Sequence, residues 1–306
     1  MKVAVLMPVY NAEQYLRECL DSVLANEGVD VFAADDGSRD GSWKILSQYA
    51  AANSRVHISR HENVGVSKTR NGLLDALPVE YDAVGFVDSD DLIAPTMFAA
   101  LAESLERTGA DIAECAITHE RGELWSGDAA SITAVESVDL RSGAWINIVN
   151  KLYRRSTLGE VRFRNGLYFK EDNFFNREVN RAAKKKVVLD AAMYYYRDNP
   201  ASATGTLDFR KYVSSVTERV RLTLEIFGPS SELAKDAYRM MIRKNLKKNR
   251  IAAERRELFL SAGDAFRRFE TDYGFSPAGL NIVQKLIYRR CLNGWYHSAT
   301  ILVRLT

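Results

Sequence analysis

Four short, largely apolar runs near the start of the chain, residues 3–7, 29–34, 56–59 and 83–87, each break off into a polar segment carrying Asp, Asn or Gly. That alternation constrains the fold more than any other feature. Apolar runs of this length suit strands buried on both faces of a sheet. Between them the spacing becomes helical: Ala12, Tyr15, Leu16, Cys19, Leu20, Val23 and Leu24 recur at i, i+3, i+4 and i+7. Asn11, with Gln14 three residues on, is expected to cap that helix. A second helix is expected after Asp40, with Trp43, Leu46, Tyr49 and Ala50 facing inward. Others are expected over 66–77 and, behind Pro95, over 96–108, before a strand over 111–117. Repeated βα units predict an α/β fold, an open, mostly parallel sheet flanked by helices.

Residues 118–209 are less regular, with strand-like pieces at 187–189 and 194–196, and from Asp208 the pattern turns helical and basic. Charge follows the same division. Residues 1–209 hold 23 Lys and Arg against 31 Asp and Glu, whereas residues 210–306 hold 19 against 9. Two regions with different partners are expected: an α/β domain over 1–209, in halves of about 1–117 and 118–209, and a basic helical region over 210–306. Cys19, Cys115 and Cys291 are odd in number and far apart, which suits a reducing compartment and neither a disulfide framework nor a zinc site. No window approaches ~18 consecutive apolar residues, so no transmembrane helix is expected. The opening apolar run stops at Pro8 with no small-residue cleavage site behind it, and reads as a first strand rather than a signal peptide. A cytoplasmic location is expected.

Ligands of open α/β sheets collect beyond the carboxyl ends of the strands. Here Pro8, Tyr10 and Asn11 follow the first run, Asp35, Asp36, Gly37 and Ser38 the second, His61 to Gly65 the third, and Asp88, Asp90 and Asp91 the fourth. The last three carboxylates would repel one another unless a cation sat among them. Hard oxygen ligands suit Mg²⁺ or Mn²⁺ shared with substrate phosphates. The alternative is that Asp91 caps the next helix and the others are solvated. Asp40 reads as a helix cap, and Asp36 either closes an Asx-turn or accepts from a base-edge N–H beneath a stacked Tyr10. Asn63, Gly65 and Arg70, taken singly, read as turn or solvated helix residues. The chain has neither a Gly-x-Gly-x-x-Gly after a strand nor a Gly-x4-Gly-Lys-Ser/Thr, which argues against dinucleotide and P-loop nucleotide folds. Phosphate charge then falls to a metal and basic side chains.

Taken in order, Met-Pro-Val-Tyr-Asn (7–11), Asp-Asp-Gly-Ser-Arg-Asp-Gly-Ser (35–42), Asn-Val-Gly-Val-Ser-Lys-Thr-Arg-Asn (63–71) and Phe-Val-Asp-Ser-Asp-Asp (86–91) resemble the inverting family 2 glycosyltransferases of the GT-A fold. The resemblance continues through Asn-Lys-Leu-Tyr-Arg (150–154), Phe-Lys-Glu-Asp-Asn-Phe-Phe (169–175) and Tyr-Tyr-Tyr-Arg (194–197), covering about the first 205 residues. The later motifs are similar to those of bacterial enzymes of capsule, lipopolysaccharide, exopolysaccharide or teichoic acid assembly. The resemblance implies metal-dependent, inverting transfer of a sugar from a UDP-linked donor to a hydroxyl of a glycan or lipid-linked acceptor. It implies that Pro8, Tyr10, Asp36, Asn63 and Arg70 hold the uridine. Asp88 would contact the ribose or sugar, with Asp91 in the same donor-binding set, and Asp90 would ligate Mn²⁺ or Mg²⁺ at the diphosphate. Asp172 would be the general base, with Glu171 beside it holding a sugar, and Arg197 and Ser202 would face the diphosphate. Without the resemblance, Glu171 and Asp172 read as helix N-terminal acids favoured by the dipole. Two departures stand out. Lys68 and Thr69 occupy the place of an Ala before Arg-Asn and are expected to alter packing near the diphosphate. Ala33 and Ala34 replace β-branched residues and are expected to affect strand packing only.

Two rival functions fit parts of the pattern. An aspartate-nucleophile phosphotransferase would use Val-Asp-Ser-Asp-Asp, yet Ile93 lies one residue beyond the place for its Thr or Val, and the motif follows the fourth strand rather than the first. A non-catalytic sugar-nucleotide-binding scaffold is disfavoured by the presence of Asp90 and Asp172. In the tail no acid follows Asp272, and Leu280, Val283, Leu286, Ile287, Cys291 and Trp295 fall at helical spacing opposite Gln284, Lys285 and Arg289. Such a helix lies on an anionic membrane surface, or packs against the catalytic domain or a second subunit of a homo-oligomer; both readings stay open. The basic run 243–250 carries no nucleic-acid motif, and nucleic acid is not an expected partner.

Overall fold

The computed structural model describes residues 1–127, 132–137, 147–167 and 171–199, with further positions between 217 and 285. The chain divides into two compact units, Met1–Asn165 with Lys170–Pro200, and Gly166–Phe169 with Ala201–Thr306. In the second, the described residues include helical positions within 217–225 and 264–273, where Arg221 pairs with Glu218 and Glu225 a turn to either side. Apart from Lys285, the amphipathic face expected over 280–295 lies outside the described residues.

The first unit alternates strand and helix from its start. Its first half contains β1 (Val3–Val9), α1 (Leu16–Leu24), β2 (Val29–Asp36), α2 (Ser42–Ala52), β3 (Val56–His61), α3 (Val66–Ala76) and β4 (Ala83–Phe86). A short β5 (Leu92–Ile93), α4 (Met97–Thr108), β6 (Ile112–Thr118) and a 3-10 turn (Arg121–Glu123) come next. They lead to β7 (Ala134–Ser137), β8 (Lys151–Arg154), α5 (Arg155–Leu158), α6 (Glu171–Ala182) and β9 (Lys186–Tyr195). The strands form one sheet in the order β3-β2-β1-β4-β8-β6-β9-β5, with β7 also paired to β9. β1 runs parallel to β2 and β4, and β2 to β3, with Val9 opposite Asp35, Asp36 opposite His61 and Leu6 opposite Phe86. That register brings the ends of all four strands to one edge of the sheet.

The far half is mixed. β8 runs antiparallel to both β4 and β6, β9 is parallel to β6, and β5 and β7 are antiparallel to β9. The two pieces expected at 187–189 and 194–196 are one strand, interrupted in pattern by Asp190 and shifted in register against β6 near Cys115. The helix expected from residue 12 begins at Leu16, and Asn11 does not cap it. Asn11 takes a positive φ of 49°, and its Oδ1 accepts from the backbone N–H of Arg39 instead. A side chain that satisfies a neighbouring loop is unavailable to its own helix, so the capping-box reading fails here.

Val5, Leu6, Val31, Ala33, Val84 and Phe86 are buried within the sheet, and Phe98, Leu101 and Leu105 present one face of α4 to the same core. Gly109 closes α4 in the left-handed region, its N–H donating to the Leu105 carbonyl at 2.9 Å. In β4, a Cβ on Gly85 would run into the ring of buried Phe98. We therefore expect Gly85→Ala to lower unfolding free energy by about 1–3 kcal/mol through overpacking. Urea denaturation of the two proteins measures this, and an unchanged midpoint would contradict the packing described.

Candidate active site

The loops after β1, β2 and β3 are knitted together by reciprocal hydrogen bonds. Asn11 N–H donates to Ser38 Oγ and Ala12 N–H to Ser42 Oγ, while Glu13 N–H donates to Asp40 and Gly41 N–H to Glu13. Asp40 also accepts from Ser42 N–H at the head of α2; burial works against its charged form, but these hydrogen bonds win and hold its pKa down. Asp36 is buried, and its carboxylate receives the Val64 and Gly65 N–H groups at 2.7 and 3.0 Å and the Asn63 amide at 3.3 Å. Gly37 has φ 73°, and a Cβ there would stand 2.7 Å from the Asn63 nitrogen, so the second and third loops meet where only glycine fits. Above this frame Pro8 is half-buried, while Tyr10, Asn63 and Val64 are exposed. Thr69, one of the two departures, is buried with its Oγ1 bonded to the Gly65 carbonyl inside α3.

The loop after β4 is anchored from the far half of the sheet. Antiparallel pairing of β5 with the end of β9 brings Tyr194, Arg197 and Asn199 against Asp88, Asp90 and Asp91. Asp91 is almost fully buried. Tyr194 donates to one of its oxygens at 2.6 Å and the Arg197 N–H to the other at 2.8 Å. Burial, reinforced by Asp88 and Asp90, pushes its carboxyl up to about 8. Asp90 accepts from the Asn199 amide at 2.8 Å, and burial followed by the Asp88 charge raises its pKa too. Arg197 donates from Nε to the Asp90 carbonyl and from Nη2 to Glu18, with its guanidinium 4.7 Å from the Tyr15 ring centre.

Arg70 is the centre of the constellation. It is 3% exposed; Nη2 donates to Asp88 at 2.7 Å, and Nη1 donates to Glu171 and Asp172 at 2.9 Å each. Burial disfavours its charge, but three carboxylates outweigh that, and its pKa lies above the usual arginine value. One guanidinium cannot neutralise three carboxylates. Burial drives the Asp172 carboxyl well above its usual range; Arg70 opposes this, Glu171 and Asp88 add to it, and the upward effects win.

The structure thus brings Arg70, Asp88, Glu171 and Asp172 into direct contact, and sets Asp90, Asp91 and Arg197 in an adjoining network. Arg70 sits on the carboxylates rather than on the open face beside Tyr10. Ser202 lies outside the described residues. Glu18, Tyr15, Arg121, Tyr194 and Asn199 took no part in the sequence-based site. Of these, Tyr194 lay inside a motif already noted. Glu18 carries no sequence signal beyond a polar position on an amphipathic helix.

Residues 4–182 match the model of glycosyl transferase family 2, more than half of the chain, and the protein belongs to that family. An uncharacterized glycosyltransferase EpsJ of Bacillus subtilis is 29% identical over 66% of this chain and 62% of its own length. Glycosyltransferase GlyA of Streptococcus pneumoniae is 29% identical over 80% of this chain and 38% of its own length. The chain therefore spans less than two thirds of these relatives. Among solved structures, Staphylococcus aureus TarS 1–349 in complex with UDP-GlcNAc superposes with a TM-score of 0.69 at 20% identity, over 99% of this chain and 91% of that one. A Pyrobaculum calidifontis mannosyltransferase with GDP-Man and Mn²⁺ gives 0.56 at 14% identity, over 99% and 86%. These likenesses establish the fold as GT-A-like.

Replacing Arg70 by Met would leave three carboxylates without their shared cation and should cost about 3–5 kcal/mol of stability at neutral pH. The deficit has a defined pH sign. Without Arg70 the Asp172 carboxyl, already raised, moves further above its unfolded value, so the destabilisation grows as pH rises through that window and shrinks as Asp172 protonates in acid. Melting temperatures of both proteins at pH 5 and pH 8 test this; an equal deficit at both would contradict it.

Proposed function

We propose that the protein transfers a sugar, with inversion, from a UDP-linked donor to a hydroxyl of a glycan or lipid-linked acceptor in bacterial surface polysaccharide assembly. The observation that carries the reading is the Arg70 cluster, which joins a carboxylate of the strand-end loops, Asp88, to the carboxylate pair on α6. Substitution at a sugar carbon needs a leaving-group site and a base in fixed relation, and one buried guanidinium supplies that relation. Family 2 membership and relatives named as poly(ribitol-phosphate) glucosyl- and N-acetylglucosaminyltransferases support the acceptor class. The TarS complexes with UDP and UDP-GlcNAc support the donor. The catalytic domain is taken as 1–209, with a basic helical region over 210–306 that meets an anionic membrane or a second subunit.

In the mechanism, Tyr10 stacks on the base and Asp36, with Asn63 and Pro8, shapes its edge. Asp88 faces the ribose, and Arg197 and Ser202 face the diphosphate. Asp172 removes the acceptor hydroxyl proton from the side opposite the leaving group, while Glu171 holds a sugar and shares Arg70 with the base. Arg70 thereby acts on the base rather than on uridine. Asp91, with both oxygens occupied, fixes the Tyr194 and Arg197 backbone instead of touching the donor.

Among the described residues no group of three or more His, Cys, Asp and Glu side chains is arranged to hold a metal ion. The donor set still fits one. Asp90 stands beside the Asp88 charge and gives only one carboxylate oxygen, Oδ2, to the Asn199 amide at 2.8 Å. Mg²⁺ and Mn²⁺ commonly take one or two carboxylates and complete their shell with phosphate and water. Asp90 would hold the ion, which when bound would offset the charge that develops on the leaving diphosphate. Among the described residues no helix is long and apolar enough to cross a membrane.

UDP or a UDP-sugar with Mn²⁺ is expected to raise the melting temperature by mass action, and Asp90→Ala to lose the metal-dependent part. No shift with any nucleoside diphosphate would overturn the donor assignment. Asp172→Asn is expected to keep UDP binding and lower kcat by about 10²–10⁴-fold, as loss of a general base does. The base acts deprotonated and its pKa is raised, so kcat/KM should fall as pH drops through a limb above the ordinary Asp value of about 3.9. A pH–rate profile with its acid limb at that ordinary value would contradict the assignment.

A further inference from the structure

Glu18 on α1 joins two arginines from the far half of the sheet. Its Oε1 lies 2.5 Å from Arg121 Nη2, in the 3-10 turn after β6, and its Oε2 lies 2.7 Å from Arg197 Nη2, just past β9. Burial opposes the charged form of Glu18, but hydrogen bonds from Arg197 and Arg121 override it and keep the carboxyl below its usual range. Arg197 has little freedom. Its Nε is on the Asp90 carbonyl, its N–H is on Asp91, and Tyr15 and Tyr195 lie 4.7 and 5.6 Å from its guanidinium. Arg121 is 62% exposed and is tied down here through Glu18.

Two guanidiniums on the two oxygens of one carboxylate form a group with one positive charge in excess, directly beside the Asp90 carbonyl. Two like charges do not approach unaided, so the carboxylate between them is what gathers them. Arginine donors in a fixed fork match phosphate oxygens. Arg121 keeps open the donors that Glu18 does not take, and it faces solvent. We infer that Arg121 is a second cation for the leaving diphosphate and that Glu18 is its positioning residue, holding Arg121 and Arg197 within reach of one diphosphate. This rests on the proposed nucleotide-sugar reading and adds two residues to its leaving-group side.

The direction of one substitution separates positioning from bulk electrostatics. If Glu18 were only a negative charge near the site, removing it would tighten diphosphate binding. If it gathers the arginines, removing it weakens binding. The 306-residue chain, with Mn²⁺, is titrated calorimetrically with UDP and with uridine. Arg121→Ala and Glu18→Gln are each expected to weaken UDP binding roughly twofold to fivefold, the range for an exposed charge, and to leave uridine affinity unchanged. Arg121→Lys, which keeps the charge and loses the fork, should fall between wild type and Arg121→Ala. The double variant should lose little more than Glu18→Gln alone, since Arg121 acts only where Glu18 holds it. Tighter UDP binding by Glu18→Gln, or an unchanged UDP-to-uridine ratio in Arg121→Ala, overturns the inference while UDP binding by wild type upholds the donor reading. Absence of UDP and uridine binding by wild type overturns both.

Discussion

One buried guanidinium organises this site. Arg70 comes from α3, in the half of the sheet built from parallel βα units, while two of its three partners begin α6 in the mixed half. Buried charge is costly unless paired, and breaking such a pair is more costly than never having built it. The contact is therefore a constraint as well as a stabiliser. α6 must begin where Glu171 and Asp172 reach Arg70, and the loop after β4 must turn so that Asp88 reaches it too. Phe163, stacked at 4.0 Å on Phe175 and lying 5.3 Å from the Arg70 guanidinium, backs the cluster with an apolar wall and keeps water from replacing the ion pairs. Burial, with the Glu171 and Asp88 charges adding to it against Arg70, makes Asp172 more basic than a solvated aspartate, which suits the base role proposed for it.

The second joint is made by backbone pairing. β5 is only two residues long, yet its antiparallel contact with β9 ties the loop after β4 to the residues that follow Tyr195. Asp91 reinforces the joint by accepting from Tyr194 and from the Arg197 backbone. Burying that carboxylate is unfavourable, and the two hydrogen bonds offset part of the cost. In return Asp90 and the Arg197 guanidinium are held side by side on backbone that cannot drift. The strand-end loops are fixed more simply, by hydroxyls and amides that answer one another across the β1, β2 and β3 ends.

Short apolar runs and period-3.6 spacing made the first half of the sheet legible, because β1, β2 and β4 are largely buried on both faces and α1 to α4 on one. The carboxyl-edge rule then located Asp36, Asn63 and Asp88 without reference to any coordinates. The pattern weakened where the sheet becomes mixed. β9 looked like two pieces because Asp190 interrupts its apolar run, and periodicity carries no information about strand direction. Asn11 was misread because an Asn that opens a helix and an Asn that braces the next loop look alike in sequence. Arg70 was legible as a site residue only through the family resemblance, and its pairing with Glu171 and Asp172 was not, since they lie 101 and 102 positions away in the chain. Glu18 and Arg121 were silent because polar residues at solvent-facing positions are the ordinary composition of a surface.

The arrangement of the three aspartates after β4 also weighs against their use as a nucleophile. An aspartate that attacks phosphorus must offer a free oxygen lone pair to an incoming group and then carry the phosphoryl. Asp88 is ion-paired to Arg70, Asp91 is buried with both oxygens engaged, and Asp90 is held by Asn199. The two pKa shifts resolved among them are upward, which favours the neutral acid, a poor nucleophile. The same facts suit a role in which the loop receives a cation and a diphosphate together. Under the proposed reading, added positive charge would lower those proton affinities and favour the charged form. A loop left electrostatically unbalanced by the protein alone is therefore better understood as half of a binding site than as a reactive group.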